Sequence, residues 1–266
     1  MSASHLDPQD MKQAIYDFAD NLRDAMAIGQ GVVLKNTPAS INNVVVAGMG
    51  GSAIGGDVNR MLLRDELSVP IYVSRNYQIP AWADKHTLVI ASSYSGGTEE
   101  TLSAMTDALE KGCQICGITT GGKLKDVLQK NDCDTVVIPA GLQPRAALAY
   151  SFVPMLYLLK GFGLVASDID KKLNKTADLL ESLRDNYSKA DDENATWLLA
   201  KSVHATIPII YGETESTAVV AMRWRGPRGA TSGVARHQMW HVCREGRGDA
   251  GMRPRRVLRS RRSTRQ

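Results

Sequence analysis

Cysteine is scarce: four in 266 residues are too few for a disulfide scaffold and suit a reducing cytosol. Long apolar runs are missing too, since no stretch approaches 18 consecutive apolar residues, so no membrane span is expected. The opening "MSASHLDPQD" lacks the basic-then-apolar pattern of a secretory leader, and a cytoplasmic location is expected. Lysine vanishes after Lys201, and acidic residues nearly vanish after Trp224. The net charge of +4 therefore averages two unlike pieces: Met1 to Trp224 carries 20 basic against 26 acidic residues, net −6, whereas Arg225 to Gln266 carries 12 arginines against 2 acidic residues, net +10.

What is present in the first piece is a rhythm. A segment of residues 1–42 is expected to be helical: Asp7 can cap it, Pro8 suits its first turn and Asp10 its positive pole. Met11, Ile15, Phe18, Leu22 and Met26 then recur on one face until Gly29, predicting a cover or dimer element. From Asn43, apolar runs at Val44–Ala47, Pro70–Val73, Thr87–Ala91, Gln114–Thr119 and Thr135–Ile138 alternate with helical patterns near Ala53–Arg64, Thr98–Lys111, Lys123–Gln129 and Arg145–Leu159. The runs are continuous in Val and Ile instead of alternating, as when both faces of a strand are covered. The pattern predicts an α/β domain over residues 43–165, a parallel sheet in an αβα sandwich. Residues 166–225 read as a linker helix, Asp168 to Tyr187, followed by the strand and helix that open a second unit, "IPIIYGETESTAVVAMRW". Residues 226–266 are expected to be a disordered basic tail.

Two loops end strands in Gly and Ser: "GMGGSAIGGD" and "SSYSGGTEETL". In a parallel sheet, ligands bind at the carboxyl ends of strands. Each loop also leads into a helix N-terminus, where free N–H groups and the dipole attract an anion. Ser52, Ser93, Ser95 and Thr98 add neutral hydroxyl donors, which suits a phosphate monoester. A dinucleotide reading competes, because "GMGGSA" fits G-x-G-x-x-A. The following strand, however, ends in Ser74 and Arg75 instead of the acid that grips a ribose; Arg75 would suit the 2′-phosphate of NADP. Cys113 and Cys116 fall on opposite faces of a strand and read as core. His237 and His241 lie at i, i+4, but Gln238 stands where H-E-x-x-H needs glutamate, so no metal is expected. "RPRRVLRSRRSTR" comes with no folded module or interleaved aromatics, so no nucleic acid partner is expected.

"GMGGSAIGGD", "SSYSGGTEETL", "GITTGGKL" and "IPAGLQPRAALAY", in that order and spacing, resemble the bifunctional phosphoglucose/phosphomannose isomerases of the sugar isomerase (SIS) domain superfamily. The motifs cover about Val44 to Leu159, and the "GMGGS" with "PRAALAY" pairing is the specific part. The resemblance implies two SIS domains per protomer, a homodimer with active sites between protomers, and no cofactor. It also implies interconversion of glucose 6-phosphate or mannose 6-phosphate with fructose 6-phosphate through an enediolate, a step of glycolysis and gluconeogenesis. Ser52, Ser93, Ser95 and Thr98 match the phosphate positions, Gly50 and Gly51 the backbone approach to the sugar, and Arg145 the arginine that steadies the intermediate. Read unaided, Arg145 gains little from the positive pole of its helix and is better aimed at an anion.

The family's base glutamate, ring-opening histidine and a lysine follow the "RW" helix. Here "AVVAMRWRG" runs into "PRGATSGVARHQ", with no match for any of them; Glu213 and Glu215 are not at the base position. The abrupt change suggests a shifted reading frame near Gly226. A chain that binds a phosphosugar without turning it over is therefore a second expectation, and a non-catalytic SIS sensor module is the alternative from another class.

Overall fold

The computed structural model describes residue 7 and residues 10–36, 40–189, 192–206 and 208–228. Of the basic tail expected over residues 226–266, residues 226–228 are helical instead of disordered, because the last helix runs Ala218–Arg228; residues 229–266, with His237 and His241, lie outside the described residues. Five strands, β1 (Asn43–Gly48), β2 (Ile71–Ser74), β3 (Thr87–Ser93), β4 (Gln114–Thr119) and β5 (Asp134–Val137), form one sheet in the order β2-β1-β3-β4-β5, with every pairing parallel. Each matches a sequence-derived run to within two residues.

The Val/Ile runs work as expected for strands covered on both sides. Val44 and Val46 of β1 join Leu88 and Ile90 of β3 in one core, while Val45 and Ala47 join Val89 and Ala91 in the other. All of these are at most 1% exposed, and each Val, Leu or Ile so buried contributes about 1.5–3 kcal/mol. Helices α3 (Gly50–Leu62) and α6 (Leu148–Gly161) cover the first face. Helices α4 (Glu99–Glu110) and α5 (Gly122–Lys130) cover the second through Ala104, Met105, Ala108, Leu124 and Leu128. α6 is buried along nearly all its length because α2 (Phe18–Gln30) lies over its outer side, with α7 (Ile169–Tyr187) against α2. Arg23 of α2 pairs with Asp178 and Glu181 of α7 at 2.8 and 3.0 Å.

The N-terminal helix departs from expectation. It is broken at Asp17 into α1 (Met11–Tyr16) and α2, and Ile15 is 66% exposed instead of sharing the apolar face. Only the α2 part, with Ala19, Leu22, Ala25 and Met26, buries an apolar face; α1 meets α7 through polar contacts instead, the Tyr16 hydroxyl donating to Asp185 at 2.6 Å. Asp7 does cap, accepting from the N–H groups of Met11 and Lys12 at 2.9 and 2.8 Å. Cys116 is buried in β4, and burial drives its thiol pKa upward; the Cys113 thiol, half-buried just before β4, is pushed up to about 11. Cys116 is a core thiol as expected, whereas Cys113 precedes the strand and is only partly buried against the core; desolvation disfavours the thiolate of both.

The C-terminal segment holds a second departure. Helix α8 (Ala195–Val203) and helix α9 (Ala218–Arg228) form, but residues 208–213 make no strand. A parallel strand needs a neighbour for its N–H and C=O groups, and the described part of the second unit offers none. Ile209 and Tyr211 are accordingly exposed.

Candidate functional site

Strand order reverses between β1 and β3: the chain leaves β1 outward to β2 and returns on the other side to β3. This is the switch point at which an α/β sheet opens a crevice at its carboxyl end. Both Gly/Ser loops lie there. Gly48 pairs directly with Ser92, so Met49–Ser52 and Ser93–Thr98 leave neighbouring strands at the same edge.

The two turns differ in their use of hydroxyls. The Ser93 side chain, 2% exposed, accepts from the Gly96 N–H at 3.1 Å and bonds the Thr98 hydroxyl at 2.9 Å. Its oxygen shapes the turn. Ser95 is exposed, with its oxygen accepting only a long 3.3 Å bond from the Gly97 N–H, and Thr98 is half-buried at the N-cap of α4. Ser52, 7% exposed, sits in the first turn of α3. Ser95 is thus the hydroxyl most open to a ligand. The Ser93 and Thr98 hydroxyls share one hydrogen bond in which either oxygen can donate, so one of the two protons stays available to a ligand.

Helices α3 and α4 both begin without a side-chain cap. Their poles are not equal, however. Glu99 and Glu100 stand in the first turn of α4 and partly answer its positive end, whereas the first turn of α3 carries no acidic residue. The α3 pole, with Gly50 and Gly51, is the stronger attractor for an anion. Gly50 has a positive φ of 50° and open space where a side chain would project, so its backbone is approachable.

Two further segments close on the same edge. Gly96, at φ 67°, packs so tightly under the β4–α5 turn that an added Cβ would lie 1.8 Å from the Gly121 carbonyl oxygen. The Leu124 N–H donates to the Gly96 carbonyl at 2.8 Å. The segment before α6 packs its Pro144 carbonyl against Gly51, where a Cβ would stand 2.7 Å away. Arg145 is therefore carried beside Gly51. It lies in a turn three residues ahead of α6, not on the helix as the sequence suggested, because Ala146 and Ala147 both donate to the Gln143 carbonyl at 2.8 and 3.1 Å and close the chain there.

Sequence reasoning missed the residue that ties these pieces together. The Tyr94 hydroxyl accepts from the Leu142 N–H at 2.9 Å, and its carbonyl accepts from Thr120, through the N–H at 3.2 Å and the hydroxyl at 2.7 Å. Inside "SSYSGGT" a lone aromatic carries no periodic signal that would reveal this.

Arg75, the residue a 2′-phosphate would need, is committed elsewhere: its guanidinium pairs with the buried carboxylate of Asp57 on α3. Metal-binding groups of three or more His, Cys, Asp or Glu do not occur among the described residues. A cleft of about 590 Å³ lies at the β2 edge, lined by Tyr72, Ser74, Tyr77, Gln78, Trp82 and Ser103, and it includes none of the residues of the two loops.

No family profile matches the chain. Among curated proteins, it is 43% identical over 218 residues to the bifunctional phosphoglucose/phosphomannose isomerase of Caldicellulosiruptor bescii, covering 81% of this chain and 64% of that one. It is 36% identical over 188 residues to the protein of the same name from Thermoplasma acidophilum, covering 70% and 54%. The chain thus spans rather more than half the length of the curated relatives it matches. Among solved structures, one from Clostridium difficile 630, provisionally described as a phosphosugar isomerase, superposes with a TM-score of 0.53 at 16% identity over 66% of this chain and 53% of that one. This last likeness is one of fold. Over the length it shares with them, the chain is a homologue of the bifunctional phosphoglucose/phosphomannose isomerases.

Proposed function

We propose that the carboxyl edge between β1 and β3 binds a phosphorylated hexose. The phosphate would be received by Ser52, Ser95, Thr98 and the α3 pole, with Ser93 holding the turn and the Ser93–Thr98 hydroxyl pair offering a proton to the anion. Gly50 and Gly51 let the sugar approach the backbone, and Arg145 faces the carbons between which an enediolate would form. The observation that carries this reading is the convergence of four connections, after β1, after β3, after β4 and before α6, on one edge of paired strands.

On this reading the reaction is the interconversion of glucose 6-phosphate or mannose 6-phosphate with fructose 6-phosphate, in the cytoplasm, with no cofactor, metal, membrane or nucleic acid. It is a step of carbohydrate metabolism. The family's homodimer belongs to the same reading where the second unit is complete. A general base must move the proton between C1 and C2. No residue of this chain matches the family's base, so we propose that the chain binds the sugar phosphate and turns it over poorly. Arg75's pairing with Asp57 speaks against the NADP alternative.

Titration calorimetry with fructose 6-phosphate, alongside an isomerase assay, tests both parts. Binding that weakens by about 1–3 kcal/mol in Ser95→Ala, with little turnover in either protein, is the expected result. An unchanged dissociation constant removes Ser95 from the site; robust turnover by this chain refutes the missing-base argument.

A further inference from the structure

The turn that carries Arg145 is held at three points. Tyr94 receives the Leu142 N–H, the Pro144 carbonyl rests on Gly51, and the Arg145 carbonyl accepts a hydrogen bond from the Arg223 guanidinium. Arg223 belongs to α9, almost 80 residues downstream. Helix α9 docks on α3, with Val219 buried at 8% exposure.

We infer that Arg223 is a positioning residue for Arg145: by clamping its carbonyl, α9 sets where the Arg145 side chain acts, a role that rests on the phosphosugar reading of this edge. The surroundings of Arg223 support it. The guanidinium is half-buried, and among the described residues no carboxylate forms an ion pair with it or with Arg145. Burial, and then the charge of Arg145, lower the pKa of Arg223. Two like charges in a half-buried place, with no carboxylate paired to either among the described residues, are relieved by an incoming anion. An arginine whose only task was to brace α9 would gain more from a carboxylate, which this half-buried place does not supply. The 166–225 segment therefore contributes to the first domain's site and is not merely the beginning of another unit.

The test compares the unaltered chain with Arg223→Ala, Arg223→Gln and Arg223→Lys. Its first readout needs no ligand: in Arg223→Ala the amides of Ala146 and Ala147 should exchange about tenfold faster, while those of Val44 to Ala47 keep their protection. The second is affinity for two probes. Fructose 6-phosphate should bind about tenfold more weakly to Arg223→Ala, inorganic phosphate should change less than about twofold, and Arg223→Lys should recover most of the loss. Should Arg223→Ala fail to fold, Arg223→Gln, whose amide ends short of the position from which the guanidinium Nη reaches the carbonyl, is read in the same way for affinity. Unaltered amide exchange, or equal losses for both probes, overturns the positioning role. Failure of the unaltered chain to bind either probe instead sinks the phosphosugar reading itself, and normal binding of both probes by Arg223→Ala sinks only the role of Arg223.

Discussion

Substituting Gly96 by alanine should disrupt the edge of the sheet out of proportion to the single methyl group added. Gly96 has a φ of 67°, a left-handed conformation that costs a residue with a Cβ about 1–2 kcal/mol. The new Cβ would also lie 1.8 Å from the Gly121 carbonyl oxygen, and contacts under 3.0 Å essentially never occur, so the two turns must part by at least 1.2 Å. That movement stretches the bonds from Leu124 to the Gly96 carbonyl and from Gly96 to the Ser93 oxygen, each worth about 0.5–1.5 kcal/mol. The sum is about 2–5 kcal/mol, which for a domain of this size lowers the melting temperature by about 4–20 °C. The neighbouring Gly97 provides the control. It has no positive φ, and a Cβ there meets nothing within 4 Å, so Gly97→Ala should stay within about 0.5 kcal/mol of the unaltered protein. Thermal denaturation followed by circular dichroism reads both variants. If Gly96→Ala melts within about 1 °C of Gly97→Ala, the tight apposition of the two turns is wrong.

A milder wedge is Gly51→Ala. Its Cβ would meet the Pro144 carbonyl at 2.7 Å and push the Arg145 turn outward, so fructose 6-phosphate affinity should fall about tenfold, and calorimetry returning the original constant would show that Arg145 does not act beside Gly51. Acid stability has a specific contributor in Glu66. Its carboxylate accepts from the Ser167 N–H at 2.6 Å, which together with Lys172 holds its pKa below the ordinary 4.5 despite desolvation. A depressed folded-state pKa stabilises above the unfolded value and loses that contribution as pH falls through the folded one, so Glu66→Gln should destabilise at neutral pH and lose stability less steeply below pH 4.5. Urea denaturation across that range checks it, and parallel curves for the two proteins would contradict the assignment.

The sheet was legible because strands covered on both faces leave an unbroken apolar run, which loops and surface helices do not. Val44–Ala47 and Thr87–Ala91 announced themselves in this way. Where the sequence misled, tertiary contacts decided. Ile15 fits a helical face by spacing, but nothing lies opposite it. The "IPII" run has strand composition, but a strand exists only with a neighbour. Arg145 reads as the start of a helix until the Gln143 carbonyl is seen to close the chain ahead of it. At the site, hydroxyl-bearing loops were visible as types, and their division of labour was not: Ser93 and Ser95 stand two residues apart, and only the bonds to Gly96 and Thr98 show that one builds the turn while the other is free to meet a ligand. Tyr94 and Arg223 were invisible because each acts by holding backbone of a segment distant in the chain, an arrangement without local pattern.

The strand order has a mechanical corollary. Both receiving loops spring from β1 and β3, which are flanked on each side, whereas the short β2 and β5 form the margins. Thermal fraying begins at margins, where hydrogen bonds have a single neighbour to lean on. Opening of the outer strands would thus be absorbed before it reached the grip, so the protein can breathe at its rim while its two central turns keep their spacing.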